Sequence, residues 1–548
     1  MPGIQDRKAP SQLFVTGLSA TWVLLVLWYE VGTFIRAGRS CEWPDSLRPT
    51  PEGARVARIL VIADPQIIDH RSYPGRGRWL SALSQFMVDL NLRRNWHSTF
   101  HGLRPHAVVF LGDMMDGGRT AMVTSEYEAY YARFRDIFKM GNKAVPVYYL
   151  PGNHDIGIGD SNSFSLEGGT RYSSHFGPRN YRISISNHTL MFIDAPALVE
   201  EDVIRASRGY TYDNWPAVPG GPIDFLMKYA SRNHSSPVIL LSHIPMARPL
   251  DASCGPLRER GTIRQGFGFG YQNTLMDDAT RYILGVTRPS LILSGDDHDY
   301  CEYVHDLPYS RTQPAGQVRE ITVKSFSMAM GVRHPGFQLL SLTSSAASSD
   351  TLTQIPSPPL TTPCLLPDQL GIYLFIYVPF IILSLIFLLI VNIYRYRSRN
   401  SHPTFPQFAK SSRAETPPAE MDDSYDLSAM SYGDSPGELS RRSLHSELGE
   451  LENGDIAPLP SPEAKAKDTN HLHSKHRAPR TRATAWAWTF VLGGQRRRIS
   501  VAIPCFSRPY PANKTRDVGF LRGFTGDVFD VAWPPLFVFC VAAWWEMK

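Results

Sequence analysis

The sequence predicts an α/β domain in which helices cover a layered sheet. Short apolar runs alternate with longer mixed segments whose spacing suits amphipathic helices, such as Trp79 to Trp96 and Glu126 to Met140. The runs lack polar alternation, as expected for strands that are covered on both faces. A chain of 548 residues with 43% hydrophobic content can form a large core.

Five of these runs end in residue types that bind metals. Taken singly, each ending has a structural explanation, such as a helix cap, a turn or a half-buried histidine. In open α/β sheets, however, ligands gather beyond the carboxyl ends of the strands, so five endings in register predict a common site. The runs are Ile59-Leu-Val-Ile-Ala-Asp64-Pro-Gln66, Val108-Val-Phe-Leu-Gly-Asp113-Met-Met-Asp116, Val147-Tyr-Tyr-Leu-Pro-Gly-Asn153-His154-Asp155, Val238-Ile-Leu-Leu-Ser-His243 and Leu291-Ile-Leu-Ser-Gly-Asp296-Asp297-His298.

The residues in these endings suit the hydrolysis of a phosphate ester. That reaction needs a nucleophile made from water near neutral pH, a clamp for the phosphoryl oxygens and a proton for the departing alkoxide. Two divalent ions about 3.5 to 4 Å apart supply the first two when a carboxylate bridges them. Oxygen ligands with a few imidazoles favour Mn²⁺, with Fe and Zn as alternatives.

The motif set Asp-x-Gln, Gly-Asp-x-x-Asp, Gly-Asn-His-Asp, His and Gly-Asp-x-His resembles that of the calcineurin-like metallophosphoesterase superfamily. The likeness covers about residues 58 to 330, and Gly112-Asp-Met-Met-Asp116 and Gly152-Asn-His-Asp155 are its most specific parts. The Cys41-Glu-Trp-Pro44 stem and Ser294-Gly-Asp-Asp-His-Asp-Tyr-Cys301 are similar to a fungal cell-division-control branch, which removes ethanolamine phosphate from GPI anchors. The resemblance implies a metallophosphoesterase β-sandwich flanked by helices and tethered by transmembrane helices.

The resemblance also implies a role for each polar residue of the motifs. Asp113 would bridge two metals. His154 would donate a proton to the leaving oxygen, and Asp155 would hold the tautomer of His154. Asp116 would support the site without being a metal ligand. Of the remaining ligands, Asp64, Gln66 and His298 would complete the first metal site, and Asn153, His243 and Asp296 the second.

Two of these ligands depart from the wider superfamily. Gln66 and Asp296 stand where most members have histidine. Both still offer an oxygen donor, so two sites can form with a preference for a hard ion such as Mn²⁺ and weaker binding at the first metal. The fungal branch resembles this chain at both positions.

Two apolar segments are predicted to cross a membrane. Gly371 to Tyr394 has no charged side chain, and Leu13 to Ile35 is interrupted only by Glu30 near one end. A cleaved signal peptide is the alternative for the first segment, and a buried core helix for either. Flanking basic residues place both termini in the cytosol by the positive-inside rule.

The predicted organisation follows from these segments. It comprises a cytosolic N-terminus (1–12), a signal anchor (13–35), a luminal catalytic domain (36–369), a second span (370–394), a largely disordered cytosolic tail (395–528) and a last apolar stretch (529–545). That stretch carries two prolines, and the sequence leaves open a third span, a re-entrant piece or an interfacial anchor.

The luminal placement agrees with the cysteines and the glycosylation motifs. Sequons at Asn187 and Asn233 predict a glycoprotein of the endoplasmic reticulum or Golgi. We predict a Cys41–Cys364 disulfide, because each cysteine lies just outside a membrane segment, which leaves Cys254 to pair with Cys301. Buried free thiols are the alternative.

The predicted function is removal of ethanolamine phosphate from a mannose of GPI anchors, with a GPI-anchored protein or GPI glycolipid as substrate. The reaction type comes from the residues and the substrate from the resemblance. The alternatives are a phosphatase on a soluble or lipid phosphomonoester and a non-catalytic, metal-stabilised scaffold. A net charge of +5 on this length predicts contact with membrane lipid and no nucleic-acid partner, and leaves the oligomeric state open.

Overall fold

The structure is a computed structural model that describes residues 10–47, 55–141, 144–158, 164–232, 234, 236–309, 315–344, 357–400, 485–492, 495–502 and 519–547. The strands are β1 (Arg55–Ile62), β2 (Ala107–Phe110), β3 (Val147–Tyr149), β4 (Tyr181–Ile185), β5 (His188–Ile193), β6 (Val238–Ser242), β7 (Phe267–Gly268), β8 (Tyr271–Gln272), β9 (Leu291–Ser294), β10 (Cys301–Leu307), β11 (Gly316–Thr322), β12 (Gly336–Ser344), β13 (Leu360–Leu365), β14 (Ala485–Leu492) and β15 (Gln495–Ala502). The helices are α1 (Pro10–Leu27), α2 (Thr33–Ser40), α3 (Arg78–Leu103), α4 (Thr124–Ile137), α5 (Asn153–Ile156), α6 (Gly168–Phe176), α7 (Ala195–Ser207), α8 (Pro222–Ala230), α9 (Asp277–Thr287), α10 (Gln369–Ile372), α11 (Val378–Asn400) and α12 (Phe520–Met547).

Two mixed sheets pack face to face. Their strand orders are β13-β12-β1-β2-β3 and β10-β11-β9-β6-β5-β4. Side chains such as Ile59, Val61, Leu241 and Leu340 fill the space between the sheets and are fully buried. This arrangement confirms the predicted layered α/β sandwich.

Helices cover the outer face of each sheet. Leu60 and Ile62 of β1 belong to a core cluster shared with α3, α4 and α6. Leu240 of β6 and Ile292 of β9 belong to a second cluster shared with α7, α8 and α9. Because successive residues of β1 point to opposite faces and both faces are covered, the strand is apolar without alternation.

Among the residues that the structure describes, three helices are long and apolar enough to cross a membrane. They are Gln12–Ser40, Gln369–Ser398 and Phe520–Met547. The first joins α1 and α2 through a π-helical turn at Trp28–Gly32, and the second joins α10 and α11 through another at Tyr373–Tyr377. Both are longer than the predicted segments 13–35 and 370–394. The stretch 529–545 lies within α12, which is continuous over 28 residues.

The third helix is antiparallel to the second. Near its beginning, Asp527 forms an ion pair of 2.6 Å with Arg395 at the end of α11. Near its end, the ring of Phe539 lies 5.7 Å from the guanidinium of Arg94 in α3. The helix α12 therefore runs from the Arg395 end of α11 toward α3 and the two-sheet domain.

Two disulfides join Cys41 to Cys364 and Cys254 to Cys301, as predicted. The sequon residue Asn187 lies in the turn between β4 and β5, whereas Asn233 lies outside the described residues. Of the predicted tail 395–528, the structure describes the end of α11, the start of α12 and a β14–β15 hairpin that forms part of a separate unit.

Candidate metal centre

The predicted ligands follow neighbouring strands of the two sheets. Asp64 follows β1, Asp113 follows β2, Asn153 follows β3, His243 follows β6, and Asp296 follows β9. These strands run in parallel within each sheet, so their carboxyl ends share one edge. As a result, ligand atoms of Asp64, Asp113 and His243 all lie within 4.8 Å of one another.

The ring of His243 presents one nitrogen to the cluster. Its Nδ1 donates a hydrogen bond of 2.7 Å to the carbonyl of Leu111, so in the neutral, metal-binding form of the ring Nε2 carries the lone pair. Around Nε2 lie Oδ1 of Asn153 at 3.1 Å, Oδ1 of Asp113 at 3.4 Å and Oδ1 of Asp296 at 3.5 Å. Four lone-pair donors facing one point match the requirements of a divalent cation, and these are the residues predicted for the second metal.

The two carboxylate oxygens of Asp113 face different groups. Oδ1 faces His243 and also accepts a 2.8 Å hydrogen bond from the backbone N–H of His154. Oδ2 accepts a 2.7 Å hydrogen bond from the side-chain amide of Gln66. This is the disposition that a carboxylate bridging two cations requires.

The other side of the cluster contains buried acceptors that have no hydrogen-bond partner within the described part of the chain. They are Oδ2 of Asp64 and Oε1 of Gln66. The backbone N–H of Asp296 approaches Oδ1 of Asp64 at 3.2 Å, which joins the loops after β1 and β9. An unpaired buried carboxylate oxygen is unfavourable unless a cation or donor meets it, so the donor set fits a first metal here.

His298, also predicted at the first metal, is largely buried in the same loop. Its backbone carbonyl accepts a 2.9 Å hydrogen bond from Ser325 N–H, which fixes the loop. Burial lowers the pKa of the His298 imidazole, even though Asp296 and Asp113 act to raise it. A neutral imidazole is the form that binds a metal.

Backbone strain is concentrated at this site. Among the described residues, nine non-glycine residues have positive φ, and five of them are predicted ligands. Such conformations cost about 1–3 kcal/mol each and persist where the surrounding structure enforces them, commonly at functional sites. The five ligands are Asp64 (φ 47°), Gln66 (27°), Asp113 (53°), Asp296 (67°) and His298 (68°).

Two glycines allow the ligand loops to approach each other. A Cβ at Gly112, where φ is +91°, would lie 2.4 Å from Nδ1 of His243. A Cβ at Gly152 would lie 2.0 Å from Oδ1 of Asp113. The glycines of Gly-Asp-x-x-Asp and Gly-Asn-His-Asp are therefore needed for contact between these two motifs.

The structure changes the prediction for the partner of His154. Nδ1 of His154 lies 2.8 Å from the carbonyl of Asp116 and 3.2 Å from its carboxylate, so Asp116 orients the ring. Asp155 was expected in this role, but its oxygens instead accept hydrogen bonds from the backbone N–H groups of Gly152 and Met115. Asp155 therefore joins the backbones of the loops after β2 and β3 by hydrogen bonds.

Charge around His154 favours its protonated form. Burial opposes the charged imidazolium, but the negative charge of Asp113 and the hydrogen bond to Asp116 raise the pKa of His154 to about 9. Burial likewise disfavours ionised Asp113, yet the pKa of this carboxyl is lowered because His243 and His154 lie close to it. The imidazole is therefore paired with Asp116, and the nearby charge of Asp113 adds to the stabilisation of its protonated form.

Arg119 lies beside the centre and was not predicted from the sequence. Its Nη1 donates a 2.7 Å hydrogen bond to the carbonyl of Gly270, which also accepts a 2.9 Å bond from Nδ2 of Asn153. The bond from Nδ2 of Asn153 to Gly270 orients the amide so that its Oδ1 points toward His243. The only sequence signal was the position of Arg119 three residues after Gly-Asp-x-x-Asp, while Gly270 lies far away in the chain.

Fold and site together define a metal-dependent phosphoesterase domain. Residues 57–300 match the calcineurin-like phosphoesterase family, whose members are hydrolases that act on phosphate esters and use divalent metal ions. Over these residues the chain is similar to calcineurin-like phosphoesterase domains.

Individual relatives extend the likeness beyond that domain. The chain is 37% identical to Cell division control protein 1 of Saccharomyces cerevisiae over 334 residues, which cover 59% of this chain and 64% of the yeast protein. It is 27% identical to Metallophosphoesterase 1 of Ailuropoda melanoleuca over 60% of this chain and 80% of that protein. The Metallophosphoesterase 1 homolog of Caenorhabditis elegans is 26% identical over 56% of this chain and 76% of its own length.

Proposed function

We propose that this protein is a membrane-anchored phosphodiesterase that removes ethanolamine phosphate from a mannose of GPI anchors. The observation that carries the reaction type is the convergence of buried ligands from five strand ends around Asp113 and His243. The 37% identity to Cell division control protein 1 supports placing the chain in the fungal branch that its motifs resemble.

The seven proposed ligands divide into two groups that share Asp113. Asp64, Gln66 and His298 would hold one cation, and Asn153, His243 and Asp296 the other, with Mn²⁺ as the proposed ion because most of the donors are oxygen atoms. When bound, the cations supply a nucleophile from water near neutral pH and neutralise charge on the phosphoryl oxygens.

His154 is the proposed proton donor to the leaving mannose oxygen. Its backbone N–H binds Asp113, which places the residue against the cluster without making it a ligand. Its Nδ1 is held by Asp116, which leaves Nε2 to face the substrate. A positioned acid of this kind contributes about 10²–10⁴-fold to the rate.

An aromatic hairpin beside the centre supports a glycan substrate. The β7–β8 hairpin carries Phe267 and Tyr271 in its strands and Phe269 in its turn, and their exposed fractions are 80%, 47% and 66%. The neighbouring Gly270 carbonyl accepts hydrogen bonds from Asn153 and Arg119, so the hairpin is fixed to the ligand set. Aromatic faces next to a reacting phosphate suit the apolar face of a sugar ring.

The membrane helices support a lipid-linked substrate. Confinement to the same bilayer raises the effective concentration of a GPI glycan near the site. The disulfide between Cys41 and Cys364 joins the end of the first membrane helix to β13, the strand that precedes the second, and is typical of an oxidising compartment. We propose that the domain faces the lumen of the endoplasmic reticulum or Golgi and that the tail is cytosolic.

The catalytic role of His154 can be tested with full-length protein and Mn²⁺. In H154N, we expect two bound metals per chain, measured by mass spectrometry, and a kcat about 10²–10⁴-fold lower. The exposed His234 provides a matched control, and H234N should retain full turnover. Undiminished turnover in H154N would refute the role of His154 as proton donor. A wild-type protein that binds metal but hydrolyses no phosphate ester would favour the non-catalytic scaffold.

The substrate can be tested with three probes. These are a GPI glycan that carries ethanolamine phosphate on mannose, a lipid phosphomonoester, and bis(p-nitrophenyl) phosphate. In F269S, we expect a higher KM for the glycan and an unchanged rate on the small diester, whereas L166S, at a site that is 99% exposed, should change neither. Faster hydrolysis of the lipid monoester than of the glycan would identify a phosphatase instead.

A further inference from the structure

The helix α3 lies between the catalytic core and the membrane helices. One face carries Val88, Leu92, Trp96 and Phe100, which are buried in the core cluster beneath the first sheet. The spacing of these residues at every fourth position is that of a single helical stripe. This stripe accounts for the attachment of α3 to the catalytic domain.

The opposite face of α3 contacts the membrane helices. Arg94 forms a buried ion pair with Glu30 in the π-helical turn of the first membrane helix. Its guanidinium also lies 5.7 Å from the rings of Phe34 in α2 and Phe539 in α12. The face around Arg94 therefore points toward the membrane bundle.

The same face continues beyond the bundle as an apolar stripe that is exposed among the described residues. Four apolar residues precede Arg94 on the same side of the helix. They are Trp79, Leu83, Phe86 and Leu90, which lie 15, 11, 8 and 4 positions before it. Leu90 is buried, but the exposed fractions rise to 39% at Phe86, 54% at Leu83 and 92% at Trp79.

We propose that the N-terminal half of α3 lies in the headgroup region of the bilayer and buries this stripe among lipid acyl chains. This placement rests on the membrane insertion of the three long helices, which belongs to the proposed function. The stripe continues the face that contacts those helices, so lipid beside the bundle is its nearest occupant. Residues 79–86 carry no charge, whereas Arg76 and Arg78 precede them and suit lipid phosphates.

An interfacial α3 would fix the orientation of the catalytic domain on the membrane. Its core-facing stripe includes Trp96, which packs against Phe110 at the end of β2, three residues before the ligand Asp113. One continuous helix thus joins the lipid surface to a strand that carries the metal centre. Tryptophan at the headgroup level is a common anchor of this kind.

Spin labels on the full-length protein can test this placement in phosphatidylcholine–phosphatidylglycerol nanodiscs. L83C and F86C would be labelled in a background that carries C505S and C540S, and collisions with oxygen and with a water-soluble nickel chelate would be measured. We expect both labels to collide more with oxygen than with nickel. The label at L166C should show the reverse, and one at L385C, on the exposed surface of α11, should report lipid.

The outcomes separate the two hypotheses. Nickel-accessible labels at L83C and F86C, with L385C in lipid, would overturn the interfacial placement and leave membrane insertion intact. Labels shielded from both reagents would indicate a protein partner or a second copy and would also overturn it. A nickel-accessible label at L385C would instead refute membrane insertion. As a second measurement, brominated lipid should quench wild-type fluorescence more than that of W79F.

Discussion

Replacing Gly152 by alanine should disable the metal centre through a single methyl group. An ideal Cβ at this position lies 2.0 Å from Oδ1 and 2.5 Å from the backbone nitrogen of Asp113. Relief of both contacts requires a shift of about 1 Å, whereas metal–ligand distances tolerate only about 0.2 Å. Because Asp113 faces both groups of ligands, we expect G152A to lose both metals, with turnover reduced at least 10²-fold.

The assay for G152A combines metal content, hydrolysis of bis(p-nitrophenyl) phosphate and unfolding by denaturant. Overpacking of this kind costs about 1–3 kcal/mol, so the variant should still fold. Gly75 provides the matched control, because a Cβ there meets no described residue within 4 Å and G75A should retain both metals. A folded G152A with two bound metals and normal turnover would refute the argument from close approach.

Four further predictions concern Arg119, the Cys41–Cys364 disulfide, Asp194 and the bound metals. R119K should raise KM for the glycan about tenfold, because a hydrogen bond from a charged donor to Gly270 contributes about 1.5–3 kcal/mol. Steady-state kinetics would measure this change in KM. C41S combined with C364S should lower the free energy of unfolding by about 2–5 kcal/mol, as measured by denaturant titration. Burial raises the pKa of Asp194 to about 6, so between about pH 4 and pH 6 the folded state binds a proton that the unfolded state has lost. The free energy of unfolding should therefore fall as pH rises through this range. Thermal unfolding measured against pH should show this slope in the wild type and not in D194N. Removal of metal by a chelator should lower the unfolding temperature, and Mn²⁺ should restore it.

The strand endings made the site predictable in outline. Each buried run is apolar because both faces of its sheet are covered, so the first polar residue after it marks the sheet edge. Parallel strands bring such residues together whatever their separation in the chain. The sequence could not predict Arg119, because its partner Gly270 lies 151 residues away on a hairpin that follows no long strand.

The partner of His154 shows a different limit of sequence reasoning. Asp155 is adjacent to His154 in the chain, which suggested contact between their side chains. In the four-residue helix α5, however, Asp155 is the third residue and its carboxylate turns back to cap the N–H of Gly152. Asp116, which is 38 residues away, reaches the ring because the loops after β2 and β3 are adjacent.

The strain at the ligands and the preformed geometry of the site have a common origin. Five left-handed residues at about 1–3 kcal/mol each amount to roughly 5–15 kcal/mol, which is comparable with the net stability of a whole domain. Only a large core can hold these conformations, and here the ligands follow strands that are buried on both faces. Burial also leaves Oδ2 of Asp64 and Oε1 of Gln66 unpaired, so cations would relieve an unfavourable arrangement as they bind. Metal affinity and the stability of the two-sheet core should therefore be coupled, and a substitution that loosens β1 or β2 should weaken metal binding without touching a ligand.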